Sequence, residues 1–355
     1  MLRLEMLPAG HGDCLWIEYG DPRHPRRVLI DGGTAGTYRR ALRDRLRSLP
    51  ASERRFELLV ITHIDADHIA GALQLLQDPE TGFGAKDVWF NGYRHLPDEV
   101  PETLGPVQGE RLTDLLLKPG VSWNGRFGKA AVVAPADGEL PRVQLDGGLV
   151  LTLLSPTPAK LAELKPSWEK EVRRAGLDPS QPRPGEKETE EGLELLGAPD
   201  VEALAAEVFA EDGAEANGSS IAMLAEFEGR RVLLTGDAHP GVLTAAIRRI
   251  AGRGRLAVDA CKLPHHGSKS NVSRQLVQAL DCRKWLFSSN GAYFRHPDRQ
   301  AVARVIKWGG PRTELAFNYR TKFNDVWEAK PLQARFGYAA SYPPDGAAGT
   351  VVEWT

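Results

Sequence analysis

Cysteine is scarce in this chain. The 355 residues contain three cysteines, and no two of them have the C-x-x-C spacing. Disulfide-stapled scaffolds and thiolate metal sites need more cysteines or that spacing. The composition therefore argues against both classes, and we expect Cys261 and Cys282, which lie in strand-like runs, to be core residues.

Long apolar runs and net charge are also lacking. No run approaches the roughly 18 apolar residues that a membrane helix needs. The N-terminal stretch "MLRLEMLPAGHGD" has neither the apolar length nor the cleavage pattern of a signal peptide. The formal net charge of −2 provides no general attraction to nucleic acid or to a membrane. We therefore expect a soluble cytoplasmic protein that makes no membrane contact.

The charges are unevenly distributed along the chain. Residues 186–215 contain eleven acids and one base, whereas residues 253–322 contain fourteen bases and four acids. One interpretation is a basic face in the C-terminal half, covered by an acidic insert that is displaced on activation. The other is that both segments are simply solvated surface.

Short strand-like runs alternate with helix-like runs through most of the chain. Two halves rich in such β–α pairs flank a long polar segment, and the sequence has no internal repeat. This order predicts one α/β (α+β) domain over residues 1–355, a layered sandwich of two mixed sheets with helices outside. Three segments depart from the pattern: an irregular insertion at 92–148, a polar and acidic insertion at 157–216, and a β-rich C-terminal extension at 311–355.

The stretch "THIDADH" places two histidines and two aspartates between positions 63 and 68. The apolar run "FELLVI" precedes it and the helix-like run "IAGALQLL" follows, so these residues occupy a strand-to-helix turn. Imidazole nitrogens and carboxylate oxygens are the ligands of zinc, manganese and iron sites. Carboxylates held this close repel each other when no cation is present. The stretch is therefore either half of a metal site or a solvated polar turn.

Three more apolar runs end in residues of the same kinds. "VLIDGG" reaches Asp31, "LLTGDA" reaches Asp237, and "KLPHHGSKS" contains His265 and His266. Because sites in α/β folds form at the carboxyl ends of strands, we expect these residues to meet the "THIDADH" turn. Four such strand ends together favour the metal site.

With these motifs the chain resembles the metallo-β-lactamase fold of metal-dependent hydrolases. The resemblance spans residues 4–307 and depends on "AGHGDCLWI", "VLIDGG", "THIDADHIAG", "NGSSIAML", "LLTGDA", "KLPHHGSKS" and "SSNGAYFRHP". Within that superfamily the chain is most similar to the hydrolase domain of the bacterial competence DNA-uptake channel and its stand-alone relatives. The resemblance implies a four-layer αββα sandwich with insertions.

The resemblance also implies a metal site and leaves open which member of the late histidine pair is a ligand. The candidate ligands are His63, Asp65, Asp67, His68, Asp237, His265 and His266. In the family pattern Asp67 and His68 would bind one cation, His63 and Asp65 a second, and Asp237 would bridge the two.

Two departures from the family pattern affect the expected metal. Asp65 stands where the superfamily usually has a second histidine, and the histidine expected ahead of Asp237 is missing from a region that offers Asn217, Ser219 and Ser220. The His63 side is therefore richer in oxygen, which suits harder ions. We expect one or two divalent cations, manganese or zinc, with magnesium as a further candidate.

The resemblance assigns further roles near the cations. Asp31 would orient the metal-binding turn, and Asp67 and Asp31 are counted as catalytic together with His296, which could protonate a leaving group. For His296 a surface position at a helix start is the alternative. The candidate substrate contacts are His11, Asn217, Ser220, Ser268 and Lys269, and for Ser268 and Lys269 a solvated role is the alternative.

These assignments predict a hydrolase in which a metal-activated water attacks a phosphodiester, most simply a nuclease that acts on DNA. The alternatives are hydrolysis of a small ester, lactone, thioester or cyclic nucleotide, and a metal-binding scaffold without hydrolysis. A groove lined by Lys262, Lys269, Arg295 and Arg299 would favour nucleic acid, whereas a lid formed by an insertion would favour a small substrate. The chain lacks the aromatic and basic interleaving typical of single-strand platforms. The sequence does not identify a protein partner.

Overall fold

The computed structural model describes residues 1–96, 107–174 and 199–354. Within these ranges the strands are β1 (Leu2–Met6), β2 (Leu15–Tyr19), β3 (Arg26–Ile30), β4 (Arg55–Phe56), β5 (Leu58–Val60), β6 (Gly84–Ala85), β7 (Val88–Trp89), β8 (Arg142–Gln144), β9 (Val150–Ser155), β10 (Ala222–Phe227), β11 (Arg230–Leu234), β12 (Leu256–Lys262), β13 (Leu280–Phe287), β14 (Glu314–Phe317), β15 (Ala339–Ser341) and β16 (Thr350–Trp354).

The α-helices over the same ranges are α1 (Ala35–Thr37), α2 (Arg43–Arg47), α3 (Ala66–Gln77), α4 (Val107–Leu116), α5 (Pro158–Arg174), α6 (Val201–Ala206), α7 (Glu215–Gly218), α8 (Pro240–Ala251), α9 (Arg274–Gln278), α10 (Arg299–Trp308) and α11 (Lys330–Phe336). A π-helical turn, Tyr38–Leu42, joins α1 to α2. None of the described helices is long and apolar enough to cross a membrane.

Most of the strands belong to two mixed sheets. The first has six strands in the order β16-β1-β2-β3-β5-β7, and the second has eight in the order β15-β14-β13-β12-β11-β10-β9-β8. Pairing is parallel from β3 through β7 and from β11 through β15. The remaining neighbours in both sheets are antiparallel. A short parallel pair of β4 and β6 stands apart.

Alternation of buried residues along the strands shows how the layers stack. On β11, Val232 and Leu234 join a core formed by both sheets, whereas Leu233 joins a core shared with α8 and α9. On β3, Val28 lies in the core between the sheets, whereas its neighbour Leu29 packs with residues of α2 and α3. Because successive side chains of a strand point to opposite faces, each sheet is covered on both sides. The four-layer αββα sandwich predicted from the sequence is confirmed.

The three segments that depart from the repeating pattern contribute to these layers. The 92–148 segment contains α4 and β8, and the 157–216 segment contains α5, α6 and the start of α7. Much of the acidic run lies outside the described residues, at 175–198. Of the acids described, Glu202 forms an ion pair with Lys307 of α10. The tail at 311–355 supplies β14 and β15 to the second sheet and β16 to the first.

The parallel strands position the polar motifs. In the first sheet Asp31 follows β3 directly, and the "THIDADH" turn links β5 to α3. In the second sheet Asp237 lies between β11 and α8, and the pair His265–His266 follows β12. All of these residues therefore lie at the carboxyl edges of parallel strands, where the two sheets face each other.

Candidate metal centre

The Asp237 carboxylate is the centre of a cluster of histidines. Its Oδ2 lies 3.3 Å from the Nε2 of His68 and 3.5 Å from that of His266. The same oxygen lies 3.8 Å from the Nε2 of His265 and 3.9 Å from that of His63. Asp237 is 2% exposed. Four imidazoles from two sheets therefore converge on one buried carboxylate oxygen.

Asp31 organises the "THIDADH" turn from behind. It is fully buried and adopts a φ of 58°, a left-handed conformation that a non-glycine residue rarely takes. Its carboxylate accepts hydrogen bonds from the backbone N–H and the hydroxyl of Thr62, both at 2.8 Å, and lies 2.8 Å from the Nδ1 of His68. With the His68 Nδ1–H donated to Asp31, the Nε2 lone pair points toward Asp237.

A similar relay orients His63. The Thr62 hydroxyl donates to Asp31, so it accepts from the His63 Nδ1–H, which is 3.0 Å away. Ser220 Oγ lies 3.1 Å from the same nitrogen and accepts the Asp237 backbone N–H at 3.2 Å. These contacts leave the Nε2 of His63 directed at the cluster, 3.7 Å from the Asp65 carboxylate.

The "GHGD" loop packs directly on this turn. A Cβ at Gly12 would lie 1.7 Å from the backbone oxygen of Asp67, so only glycine fits there. The adjacent Asp13 N–H donates to that same oxygen at 3.3 Å. The loop thereby places the Asp13 side chain beside the Nδ1 of His266.

The two histidines of the late motif occupy consecutive left-handed positions. His265 has a φ of 47° and His266 a φ of 54°. Strained conformations of this kind persist where the surroundings determine them, and they cluster at functional sites. The His266 Nε2 lies 3.5 Å from the Asp67 carboxylate, and its Nδ1 lies 3.2 Å from Asp13. Both Nε2 atoms reach Asp237, so the structure brings both histidines to the site.

Asp13 is held by a buried ion pair. Its Oδ2 lies 2.7 Å from the Lys262 Nζ, and its Oδ1 accepts from the Ser288 hydroxyl. Asp13 is 1% exposed and Lys262 is fully buried. Burial alone would raise the pKa of Asp13, but Lys262 and His266 hold that pKa well below its usual range. Asp13 therefore remains charged and accepts the His266 Nδ1–H.

His265 has a polar network of its own. Its Nδ1 lies 3.0 Å from the Asn271 Oδ1 and 3.4 Å from the Asp212 carboxylate. Asp212 also accepts from the side-chain amides of Asn217 at 2.7 Å and Asn271 at 3.0 Å. A carboxylate and an amide thus fix the outer nitrogen of His265 and leave its Nε2 facing Asp237.

Four atoms of the cluster indicate that a cation belongs there. The Nε2 atoms of His63, His68 and His266 and the Oδ1 of Asp237 are buried without a hydrogen-bond partner. Buried polar atoms are nearly always satisfied, and unsatisfied imidazole nitrogens beside a carboxylate are typical of metal ligands. Ligand atoms of Asp13, His68, Asp237 and His266 also lie within 4.8 Å of one another. Because Asp13 forms a buried ion pair with Lys262, we place it behind His266 and outside the set of metal ligands.

The electrostatics of the cluster also suit a cation. Burial would lower the pKa of His68, but the carboxylates of Asp237, Asp31 and Asp67 raise it well above its ordinary value. Burial would raise the pKa of Asp237, but the surrounding histidines hold it well below its ordinary value. The site therefore has a negative potential that favours bound positive charge.

The remaining predicted residues lie at different distances from this cluster. His296 is buried with its ring centroid 5.4 Å from that of His265, and its Nδ1 lies 3.6 Å from the Asp298 carboxylate. Burial lowers the pKa of His296 more than Asp298 raises it. His296 is therefore buried near the site and does not occupy the alternative surface position, and its role as a proton donor stays a prediction. His11 stacks on Tyr293 with centroids 5.2 Å apart.

The predicted substrate contacts are mostly engaged within the protein. Ser220 contacts His63, and Asn217 donates to Asp212, whose carboxylate lies beside the Nδ1 of His265, so both support histidines. The Ser268 hydroxyl accepts the Ser270 N–H at 3.2 Å. The Lys269 side chain is exposed. Lys262, one of four residues whose presence in a groove would favour nucleic acid, is buried against Asp13 and therefore does not line a groove.

Two residues that hold the ligand histidines in position were not identified from the sequence. Asp13 stands in the quoted "AGHGDCLWI" motif, but its partner Lys262 is remote in sequence, and pairing between them has no local signal. Asp212 belongs to an acidic run whose composition suggests solvated surface. Its hydrogen bonds with Asn217 and Asn271 place it instead beside His265.

Several solved structures match the chain at low sequence identity. YhfI from Bacillus subtilis, a metallo-beta-lactamase fold protein, is 11% identical with a TM-score of 0.45, and the match covers 99% of both chains. CmlA, a diiron beta-hydroxylase from Streptomyces venezuelae, is 12% identical with a TM-score of 0.45. That match covers 99% of this chain and 54% of CmlA, so the chain spans about half the length of that relative. Zn²⁺-bound PqqB from Methylobacterium extorquens is 13% identical with a TM-score of 0.40, covering 96% and 87% of the two chains.

No curated protein matches the chain. The model of the metallo-beta-lactamase superfamily matches residues 8–289, which include the "GHGD" loop, the "THIDADH" turn, Asp237 and the His265–His266 pair. The chain therefore belongs to the metallo-β-lactamase superfamily, whose members are generally metal-dependent hydrolases.

Proposed function

We propose that this protein is a metal-dependent phosphodiesterase, and specifically a nuclease that acts on DNA. The observation that carries the proposal is the convergence of four imidazole Nε2 atoms on the Asp237 carboxylate oxygen. A carboxylate shared between two ligand groups suits two neighbouring cations, the arrangement that clamps both oxygens of a phosphodiester during in-line displacement. The similarity of the motifs to the DNA-uptake hydrolases supports the choice of substrate.

The first cation would be held by Asp67, His68 and His266, with Asp237 as the bridging ligand. The His68 and His266 Nε2 atoms are buried and lack other partners. Both lie within 3.9 Å of the Asp67 Oδ2. Asp31 and Asp13 fix the outer nitrogens of the two imidazoles, so these ligands are oriented before a cation arrives.

The second cation would be held by His63, Asp65 and His265, again with Asp237. The His265 Nε2 lies as close to the Asp237 Oδ2, at 3.8 Å, as the His63 Nε2 does, at 3.9 Å. His265 therefore takes the place of the histidine that the sequence lacks ahead of Asp237. This site has two imidazoles and two carboxylates, a mixed donor set that admits manganese as well as zinc.

A divalent cation in this cluster supplies Lewis acidity, which lowers the pKa of water and polarises a phosphoryl oxygen. The chain supplies orientation and proton handling. Asp31, Thr62 and Ser220 keep the imidazoles of His68 and His63 in the tautomer whose Nε2 faces inward. His296 lies beside His265 with Asp298 near its Nδ1, a position from which it could hold a proton for the leaving oxygen.

Positive charge near His296 supports an anionic substrate. Arg295 is exposed and directly precedes His296. Lys269 is exposed as well, and its backbone N–H donates to the Asp298 carboxylate at 2.6 Å. Two exposed cationic residues are therefore neighbours of the His296–Asp298 pair through the backbone, and their positive charge would favour an anionic substrate near the metal ligands.

The experiment is incubation of the purified protein with single- and double-stranded DNA and RNA in manganese, magnesium or zinc. We expect metal-dependent cleavage of DNA that is lost in Asp67→Ala and His68→Ala. Each variant is compared with the wild type by circular dichroism to show that it is folded. Bound metal without cleavage of any nucleic acid would contradict the proposal, and so would turnover of small esters or lactones alone.

A further inference from the structure

Two adjacent aromatic side chains are exposed beside the candidate metal centre. Tyr293 is 49% exposed and Phe294 is 46% exposed. The other exposed large hydrophobic side chains among the described residues are aliphatic: Leu117, Val121, Val208, Ile250 and Val351. Single exposed apolar residues are common and need no explanation. The two exposed aromatics are adjacent, however, and they occur at the edge of a catalytic cluster.

Ring contacts connect this pair to the cluster. Tyr293 stacks on His11 with centroids 5.2 Å apart and planes at 25°. Phe294 stacks on His296 with centroids 5.8 Å apart and planes at 24°. His296 contacts His265, whose Nε2 faces Asp237. Phe294 is therefore separated from the histidine cluster by one intervening ring.

The loop that carries these rings is braced against the "GHGD" loop. The Asn290 N–H donates to the Gly10 oxygen at 2.9 Å, and the Arg295 N–H donates to the Gly291 oxygen at 3.1 Å. Arg295 has a φ of 58°, a strained left-handed conformation for a residue with a side chain. A Cβ at Gly291 would lie 2.3 Å from the Phe323 ring. The aromatic pair is thus presented by a tightly specified turn.

The ligand that matches this surface has a flat unsaturated face and a negative charge. An aromatic ring offers about 1–3 kcal/mol of stacking to an unpaired base, and nearby cations attract the phosphates. In the "YFRH" stretch two aromatics are followed at once by Arg295 and His296. This stretch therefore places aromatic rings and a cation side by side, although the chain as a whole lacks the interleaving typical of single-strand platforms.

We propose that Tyr293 and Phe294 form a base-stacking subsite, so that the enzyme prefers phosphodiesters whose flanking nucleotide has an unpaired base. This inference rests on the proposed phosphodiesterase function and deepens it. Single-stranded DNA and frayed ends expose base faces to such a platform. In an intact duplex the same faces are covered by neighbouring base pairs.

The test compares two chromogenic substrates with the same leaving group: thymidine 5′-(p-nitrophenyl phosphate), which has a base, and methyl p-nitrophenyl phosphate, which has none. We expect the wild-type ratio of their kcat/KM values to favour the thymidine ester by about 5- to 150-fold, the range that corresponds to one stacked base. Tyr293→Ala and Phe294→Ala should lower the ratio, and Phe294→Trp should preserve it. Val351→Ala, on edge strand β16, changes an equally exposed apolar residue and is the matched control.

A second measurement separates failure of the platform from failure of the proposed function. A fluorescent oligothymidylate and its abasic counterpart are titrated into the protein in chelator, with anisotropy as the readout, so that nothing is cleaved. Tighter binding of the oligothymidylate, reduced by Phe294→Ala, supports the subsite whether or not hydrolysis occurs. Equal binding of the two strands, or a substrate ratio near one, overturns the inference. Absence of hydrolysis of both chromogenic substrates by the metal-loaded protein counts against the phosphodiesterase function alone.

Discussion

The buried pair of Asp13 and Lys262 predicts a large loss of stability when the lysine loses its charge. The two groups are 2.7 Å apart and have almost no exposure. At that distance and an effective dielectric constant of about 20, Coulomb's law gives an attraction of ~6 kcal/mol. In Lys262→Met the Asp13 carboxylate keeps the His266 Nδ1 and the Ser288 hydroxyl as donors, which offsets part of the loss. We therefore expect unfolding free energy to fall by about 3–5 kcal/mol, the usual cost of removing one partner of a buried pair.

The assay is urea unfolding followed by tryptophan fluorescence in the presence of chelator. Lys284→Met on the neighbouring strand β13 is the matched control, because Lys284 pairs with Glu314 at 3.2 Å in a partly exposed position. Its loss should cost no more than about 1 kcal/mol. The double variant Asp13→Asn/Lys262→Met removes both charges and should regain much of the stability. A Lys262→Met protein as stable as the control variant, or a double variant no better than the single one, would refute this reasoning.

Four further predictions follow from the same contacts. His265→Ala should reduce the bound metal from two equivalents to one, as measured by calorimetry and metal analysis. The control His24→Ala, at an exposed histidine, should keep both equivalents. Two equivalents in His265→Ala would exclude His265 as a ligand. Asp31→Asn should weaken metal binding about 10- to 100-fold, because it disturbs the acceptor of the His68 Nδ1–H, and unchanged affinity would contradict that role. Gly12→Ala should lower the melting temperature and the metal content together, because the new Cβ would lie 1.7 Å from the Asp67 backbone oxygen. Gly213 has open space around it, so Gly213→Ala should change neither quantity. Free metal at about 100 times its dissociation constant should raise the unfolding free energy by about 2.7 kcal/mol relative to the protein in chelator. A melting curve that chelator does not change would argue against a specific metal site.

The sequence predicted the layers because short apolar runs and glycine-rich strand ends are local signals. Val232, Leu233 and Leu234 alternate between two cores, and the sequence signal of such a doubly buried strand is a short continuous apolar run. The αββα order itself came from the resemblance. The irregular joint between α1 and α2, with its π-helical turn, has no comparable signal.

The site was predictable where its residues are neighbours in sequence. The "THIDADH" turn needs only one strand end to bring His63 and His68 together. The surrounding contacts depend on tertiary packing. The left-handed conformations of His265 and His266 direct both rings to Asp237, and the sequence could not distinguish between the two as ligands. The pairing of Asp13 with Lys262 likewise arises only when the two sheets face each other.

The most direct test of the central claim is hydrolysis of bis(p-nitrophenyl) phosphate by protein stripped with chelator and then reloaded with manganese or zinc. Metal content is measured on the same samples. The account predicts no activity without a cation, activity that rises with bound metal, and loss of activity together with a reduced metal content in folded His68→Ala. Protein that binds its full complement of metal at the Asp237 cluster and hydrolyses no phosphodiester would contradict it.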